Sequence, residues 1–182
     1  CRSLTSVTIP EGVTTIRPTT FYGCRSLTSV TIPEGVTTIE AGAFQYCSSL
    51  VSVNLPETMT AIDARAFKLC TSLASIILPK GVTFIGSLAF ANCVSLVTIT
   101  FPENVKKIDF GVLEGCDSLV SAILPPSCAA SIKVFFNCKR LSFAVGPESF
   151  LDNPDWPGPV TLREIFERCP KLPGPTYTTP HS

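Results

Sequence analysis

Nine cysteines are the residues best placed to do chemistry in this 182-residue chain, and six of them, at 1, 24, 47, 70, 93 and 116, stand 23 residues apart. Cys138 follows after 22 residues and Cys169 after 31, while Cys128 falls outside that phase. Structural zinc sites need four N or S ligands, usually with cysteines paired a few residues apart. No C-x-x-C pair is present, and the single histidine, His181, stands in a Pro-rich tail. No metal site is expected. Neighbouring strand rungs would hold the phased cysteines about 5 Å apart, inside the Cα range of a disulfide. Side chains stacked in parallel point alongside one another, however. The expectation is a ladder of buried thiols acting as small hydrophobes, with Cys128 as an exposed thiol.

Nucleophilic catalysis needs a Ser, Thr or Cys with a base beside it, and phosphate chemistry needs a glycine-rich cradle. The many Ser and Thr have no usable His, and neither GxGxxG nor GxxxxGK[ST] occurs. No catalytic residue is assigned, no cofactor is expected, and the chain reads as a non-enzyme. Glutamates follow a proline at Glu11, Glu34, Glu57 and Glu103, and Glu148 continues the series, with Lys80 and Pro126 interrupting it. Stacked units would align them along one edge. That stripe reads either as solvated turn residues or as a docking line for a basic partner or a divalent ion.

These residues are positioned by a repeat. CRSLTSVTIPEGVTTI at 1–16 recurs letter for letter at 24–39, and looser copies begin at 47, 70 and 93. The unit starting at 116 keeps only its first half. Phe-Cys-Leu spacing continues through Phe135-Cys138-Leu141 and Phe166-Cys169-Leu172, which places a degenerate seventh unit with a Pro- and Gly-rich insertion at 146–159. Within SLTSVTIP, apolar Leu4, Val7 and Ile9 alternate with Ser6 and Thr8, and Pro10 follows. That is a half-buried strand stopped by a residue that cannot donate to a ladder. Glu11-Gly12 then turn the chain. Val13, Ile16 and Phe21 return inward with spacing too irregular for a long helix, and AGAF at 41–44 fits one tight helical turn at most. One unit cannot bury both its sides, so stability must come from stacking.

The unit C-x-S-L-x-x-V-x-I-P-x-x-V-x-x-I-x-x-x-A-F-x-x resembles the BspA-like class of leucine-rich repeats, with departures at Thr20, at Arg17 and Pro18, in the shortened unit 116–137 and after Gly146. The resemblance implies an α/β repeat: a curved, right-handed leucine-rich-repeat solenoid with a parallel β-sheet on one face and a short C-terminal capping helix. It also implies adhesion or ligand recognition at a cell surface, and it carries no catalytic residues. The domain reading is a solenoid over 1–146, with six 22–23-residue units and the start of a seventh. An insertion and capping segment over 147–172 and a disordered tail over 173–182 complete it.

Residues between the inward strand positions would line the exposed sheet face. The face begins hydroxyl-rich and turns apolar toward its C-terminal end, so the candidate ligand-binding residues are Ser52, Asn54, Ser75, Ile77, Thr98, Thr100, Ile123, Phe143 and Val145. An apolar patch on a polar face marks a contact site; the competing reading has the C-terminal segment folding over Ile123, Phe143 and Val145 as a lid. In VTLREIFERC at 160–169, Thr161 and Glu164 form a capping box and Leu162, Ile165, Phe166 and Cys169 one apolar face. It reads as the capping helix, with Trp156 as a plug for the cap.

Lys+Arg and Asp+Glu both number 14, so the basic surplus of a nucleic-acid binder is missing. No apolar run approaches the roughly 18 residues of a membrane helix. Residue 1 is Cys with no leader after it, which reads as a fragment or a processed chain. The leading expectation is a monomeric, non-catalytic scaffold that binds a protein partner. A structural spacer array, or the regulatory repeat segment of a larger intracellular protein, are the alternatives.

Overall fold

The computed structural model describes residues 1–130 and 133–145, apart from the side chains of Ala130, Phe143 and Val145. The insertion at 146–159, Trp156, the helix at 160–169 with Cys169, the remainder of the capping segment, the tail with His181, and Glu148 all lie outside them. Each repeat forms one coil of a parallel β-solenoid. The front strands are β2 (Ser29–Thr31), β4 (Ser52–Asn54), β7 (Thr98–Thr100), β9 (Ser121–Ile123) and β11 (Phe143–Val145). Their β-branched residues suit a pleated, half-buried surface. Where burial is described it alternates, with only the central residue inside.

The return path adds a second sheet that the single-sheet expectation lacked. It consists of β1 (Thr15–Ile16), β3 (Thr38–Ile39), β5 (Ala61–Ile62), β6 (Phe84–Ile85), β8 (Lys107–Ile108) and β10 (Ala129–Ala130). These six strands form one unbroken parallel ladder, in which Ile16, Ile39, Ile62, Ile85 and Ile108 pair in register and are all buried. Thr hydroxyls reinforce it, since Thr37, Thr60 and Thr83 each donate to the carbonyl of the Thr 23 residues earlier.

The third side of each coil is a string of turns, and no α-helix forms among the described residues. Two left-handed residues per coil prevent one. The first series runs Thr19, Gly42, Arg65, Leu88, Gly111 and Lys133, and the second Gly23, Tyr46, Leu69, Asn92, Gly115 and Asn137. The backbone therefore points N–H groups along the solenoid axis: Phe44 donates to Ala66 and Phe67 to Ala89, each at 2.8 Å.

Between the sheets, Phe21, Phe44, Phe67 and Phe90 stack with centroids 5.1 to 5.5 Å apart. Leu27, Leu50, Leu73, Leu96, Leu119 and Leu141 form a parallel column, and no polar or charged side chain is buried among the described residues. Close stacking also fixes a small residue at Gly86, where an added Cβ would lie 2.5 Å from the Ala64 nitrogen and 2.8 Å from the Asp63 carbonyl carbon. Backbone cannot give way there. Gly86→Ala is expected to cost roughly 1–3 kcal/mol, the range for overpacking; a urea unfolding midpoint unchanged from wild type would contradict this.

Candidate ligand-binding face

The thiols are core, as their phase implied. Cys24, Cys47, Cys70, Cys93 and Cys116 are buried and unbridged, whereas Cys1 is exposed. Each inner thiol has a hydrogen-bond acceptor in the preceding coil. Cys47 Sγ donates to the Phe21 carbonyl at 3.1 Å, Cys70 to Phe44 at 3.2 Å, Cys93 to Phe67 at 3.2 Å and Cys116 to Phe90 at 3.3 Å. The same carbonyls accept the N–H of Cys24, Cys47, Cys70 and Cys93, so both lone pairs of each are used. Burial pushes the Cys47 and Cys116 thiols up to about 12 and holds Cys70 and Cys93 well above the ordinary thiol range. They are poor nucleophiles, because the thiolate is the reactive form.

Cys128 corrects the expectation of an exposed thiol: it is 1% exposed, and burial pushes it up to about 11. It continues the series Val13, Val36, Met59, Val82 and Val105 at the same 23-residue spacing. Cysteine there stands in for an inward valine. That phase was visible in the numbering and hidden by the change of residue type.

No group of three or more His, Cys, Asp or Glu side chains is placed to hold a metal among the described residues. Two carboxylates do neighbour one another beside the back ladder. Burial, and then the charge of Glu40, raise the Asp63 carboxyl above its usual range. The described residues contain no histidine to serve such a pair as a base.

What the solenoid presents is its front face. Ser52, Asn54, Ser75, Ile77, Thr98 and Thr100 are all exposed, as alternation requires. Ile77 is 85% and Ile123 42% exposed. The backbone of Phe143–Val145 pairs with Ser121–Ile123, so these two residues continue the same rows, but their side chains and any lid over them fall outside the described residues. A further apolar row was not anticipated: Val51 and Val97, just before their strands, are 51% and 44% exposed. Glu11, Glu34, Glu57 and Glu103 are exposed along the edge, with Lys80 between the third and fourth.

The front sheet is also interrupted. Strands β2 and β4 pair with each other, and β7, β9 and β11 form a separate three-stranded ladder. The intervening Ser75–Ile77 belongs to neither. A shallow cleft of about 410 Å³ opens there, lined by Ser75, Ile77, Lys80, Thr98 and Thr100 over Ile76 and Leu78.

The sequence and fold have clear counterparts. The profile of the BspA type leucine rich repeat region matches in six copies, over residues 1–120 and 39–152. A leucine rich repeat protein of T. pallidum is 33% identical over 78% of this chain and 69% of its own, with a TM-score of 0.74. One from Bacteroides ovatus is 29% identical over 79% of this chain, with a TM-score of 0.58. This chain spans only 45% of that protein's length. The pneumococcal vaccine antigen PcpA, at 22% identity, 81% of this chain, 38% of its own and a TM-score of 0.70, shares the fold. No curated protein sequence matches. No helix among the described residues is long and apolar enough to cross a membrane. By its repeat, its register and these matches, the chain belongs to the BspA-type leucine-rich repeat family.

Proposed function

We infer that this chain is a non-catalytic recognition scaffold that binds a protein partner on its front face, in the manner of an adhesion module. The observation that carries this reading is the exposure of Ile77, Ile123, Val51 and Val97 on or beside the front strands, where the other exposed large apolar side chains among the described residues are the separate Tyr22 and Phe110. A protein does not gain stability from an isoleucine that is 85% in water, whereas a partner that covers it gains the burial free energy. The small hydroxyls around these residues keep the face wettable when it is unoccupied. The buried, protonated thiols support a structural interior rather than a reactive one.

The test is surface plasmon resonance of the immobilised chain against a panel of purified proteins, repeated with Ile77→Ser/Ile123→Ser. Affinity for any binder is expected to fall by roughly 2 kcal/mol or more, the scale of hot-spot truncation. The melting temperature should stay within about 2 °C, because exposed substitutions change stability little. Undiminished affinity in a folded variant would remove the front face from consideration.

A further inference from the structure

The break in the front sheet is the feature that the repeat does not require. The back ladder runs through all six strands without interruption, so the coils stay stacked and the opening is confined to one face. At this opening the core lies close to solvent on both sides of the break, since Val53 on the preceding coil is 8% exposed. Ile76 and Leu78 are each 7% exposed, where their counterparts Ile99 and Phe101 one coil later are 3% and 2%. The cleft thus has an apolar floor and a projecting isoleucine beside it. Its rim offers the hydroxyls of Ser75, Thr98 and Thr100, and Lys80 closes one end. The strand amides and carbonyls of Ser75–Ile77 are in neither ladder, which leaves polar backbone beside the floor.

Charge defines the occupant further. Lys80 is the cation that interrupts the row of edge glutamates, and it takes part in neither ion pair formed among the described residues, Lys107–Asp109 and Lys139–Asp117. Glu57 and Glu103, on the coils to either side, do not line the cleft. One carboxylate is therefore matched at Lys80, and a run of them would be repelled. We propose that this cleft receives an extended peptide segment of a partner protein that lays one apolar side chain on Ile76 and Leu78 and sets one neighbouring carboxylate against Lys80. An extended segment alternates its side chains, so one can rest on the apolar floor while its neighbour turns toward Lys80 at the rim. At about 410 Å³ the cleft falls in the lower part of the range for small-ligand sites, enough for a few residues. The proposal rests on the front-face reading and specifies its anchor.

The experiment titrates the whole ¹⁵N-labelled chain with three capped pentapeptides: Ser-Leu-Asp-Leu-Ser, the same with Lys for Asp, and five serines. The Asp peptide is expected to shift the amides of Ser75 to Lys80 and of Thr98 to Thr100, the Lys peptide far less, and the serine peptide not at all. Ile77→Ser should weaken the Asp peptide roughly tenfold, on the scale of losing an apolar anchor. Lys80→Glu should reverse the preference between the Asp and Lys peptides while amide dispersion shows an intact fold. Absence of shifts, or shifts indifferent to both substitutions, would overturn the proposal. Shifts confined to Ser29 to Asn54 would also overturn it, yet leave the front-face reading standing. So would silence from all three peptides while a whole partner protein still loses affinity on Ile77→Ser/Ile123→Ser.

Discussion

Phe67→Ala is expected to lower the free energy of unfolding by about 3–5 kcal/mol, the cost of removing a fully buried phenylalanine from a packed core. Phe67 is 0% exposed. It lies between Phe44, 5.3 Å away at 4°, and Phe90, 5.5 Å away at 2°. Truncation therefore opens a cavity against two rings at once and removes two stacking contacts. In a solenoid each coil is held by its neighbours, so the loss falls on both interfaces of one coil. Phe90→Leu, by contrast, imitates Leu113, which fills this column one coil later, and should cost less. Urea unfolding decides it: a loss below about 1 kcal/mol for Phe67→Ala would mean that the ring column is not what joins the coils.

Alkaline pH is expected to weaken the fold steeply, through the thiol ladder. Cys70, Cys93 and Cys116 are buried, and desolvation holds each thiol well above its ordinary value of 9.0, to about 12 for Cys116. Above pH 9 the unfolded chain loses these protons while the native chain keeps them. The native state then binds more protons than the unfolded state, so stability falls as pH rises. Below the ordinary value the contribution is fully present, and it is lost progressively as pH rises from there toward the native value. Each such thiol contributes about 1.4 kcal/mol of loss per pH unit across that window. Cys47 and Cys128 are raised in the same way, so five thiols act together. The combined slope reaches several kcal/mol per unit once the unfolded thiols are ionised, enough to unfold an ordinary domain well before the native value is reached. Unfolding midpoints between pH 8 and 10.5 should fall with a slope that steepens as pH passes 9, and Cys93→Ala should reduce that slope by about one fifth even though it lowers stability at pH 8. A flat profile would show that the thiols ionise in place.

The front face was legible from the sequence because its signal is local and repeated. Alternation around Val30, Val53, Ile99 and Ala122 assigns Ser52, Asn54, Thr98 and Thr100 outward, and 23-residue spacing fixes the register. The back ladder was not, because a pair such as Thr15–Ile16 is too short to show a period of two. Its pairing depends on stacking alone. The left-handed turn positions carry a glycine signal only at Gly23, Gly42, Gly111 and Gly115. Elsewhere Tyr46, Arg65, Leu69, Leu88, Asn92 and other non-glycine residues occupy them, held there by hydrogen bonds between coils. Cys128 shows the reverse failure, with the phase present and the residue type misleading. The break at Ser75–Ile77 has no counterpart in local propensity, since SII suits a strand as well as SVN or TIT does. Nothing in the residues of that rung explains it.

Hydrogen–deuterium exchange of the chain, alone and saturated with a binding protein, tests the central claim most directly, since it reads both sheets in one experiment. Protection on binding is expected at Ser29–Thr31, Ser52–Asn54, Ser75–Ile77, Thr98–Thr100 and Ser121–Ile123, greatest at Ser75–Ile77, where no ladder already slows exchange. The back rungs, from Thr15–Ile16 to Lys107–Ile108, should exchange at unchanged rates. Protection confined to the back ladder, or to the turns around Tyr46 and Arg65, would contradict the account and move recognition to another side of the solenoid.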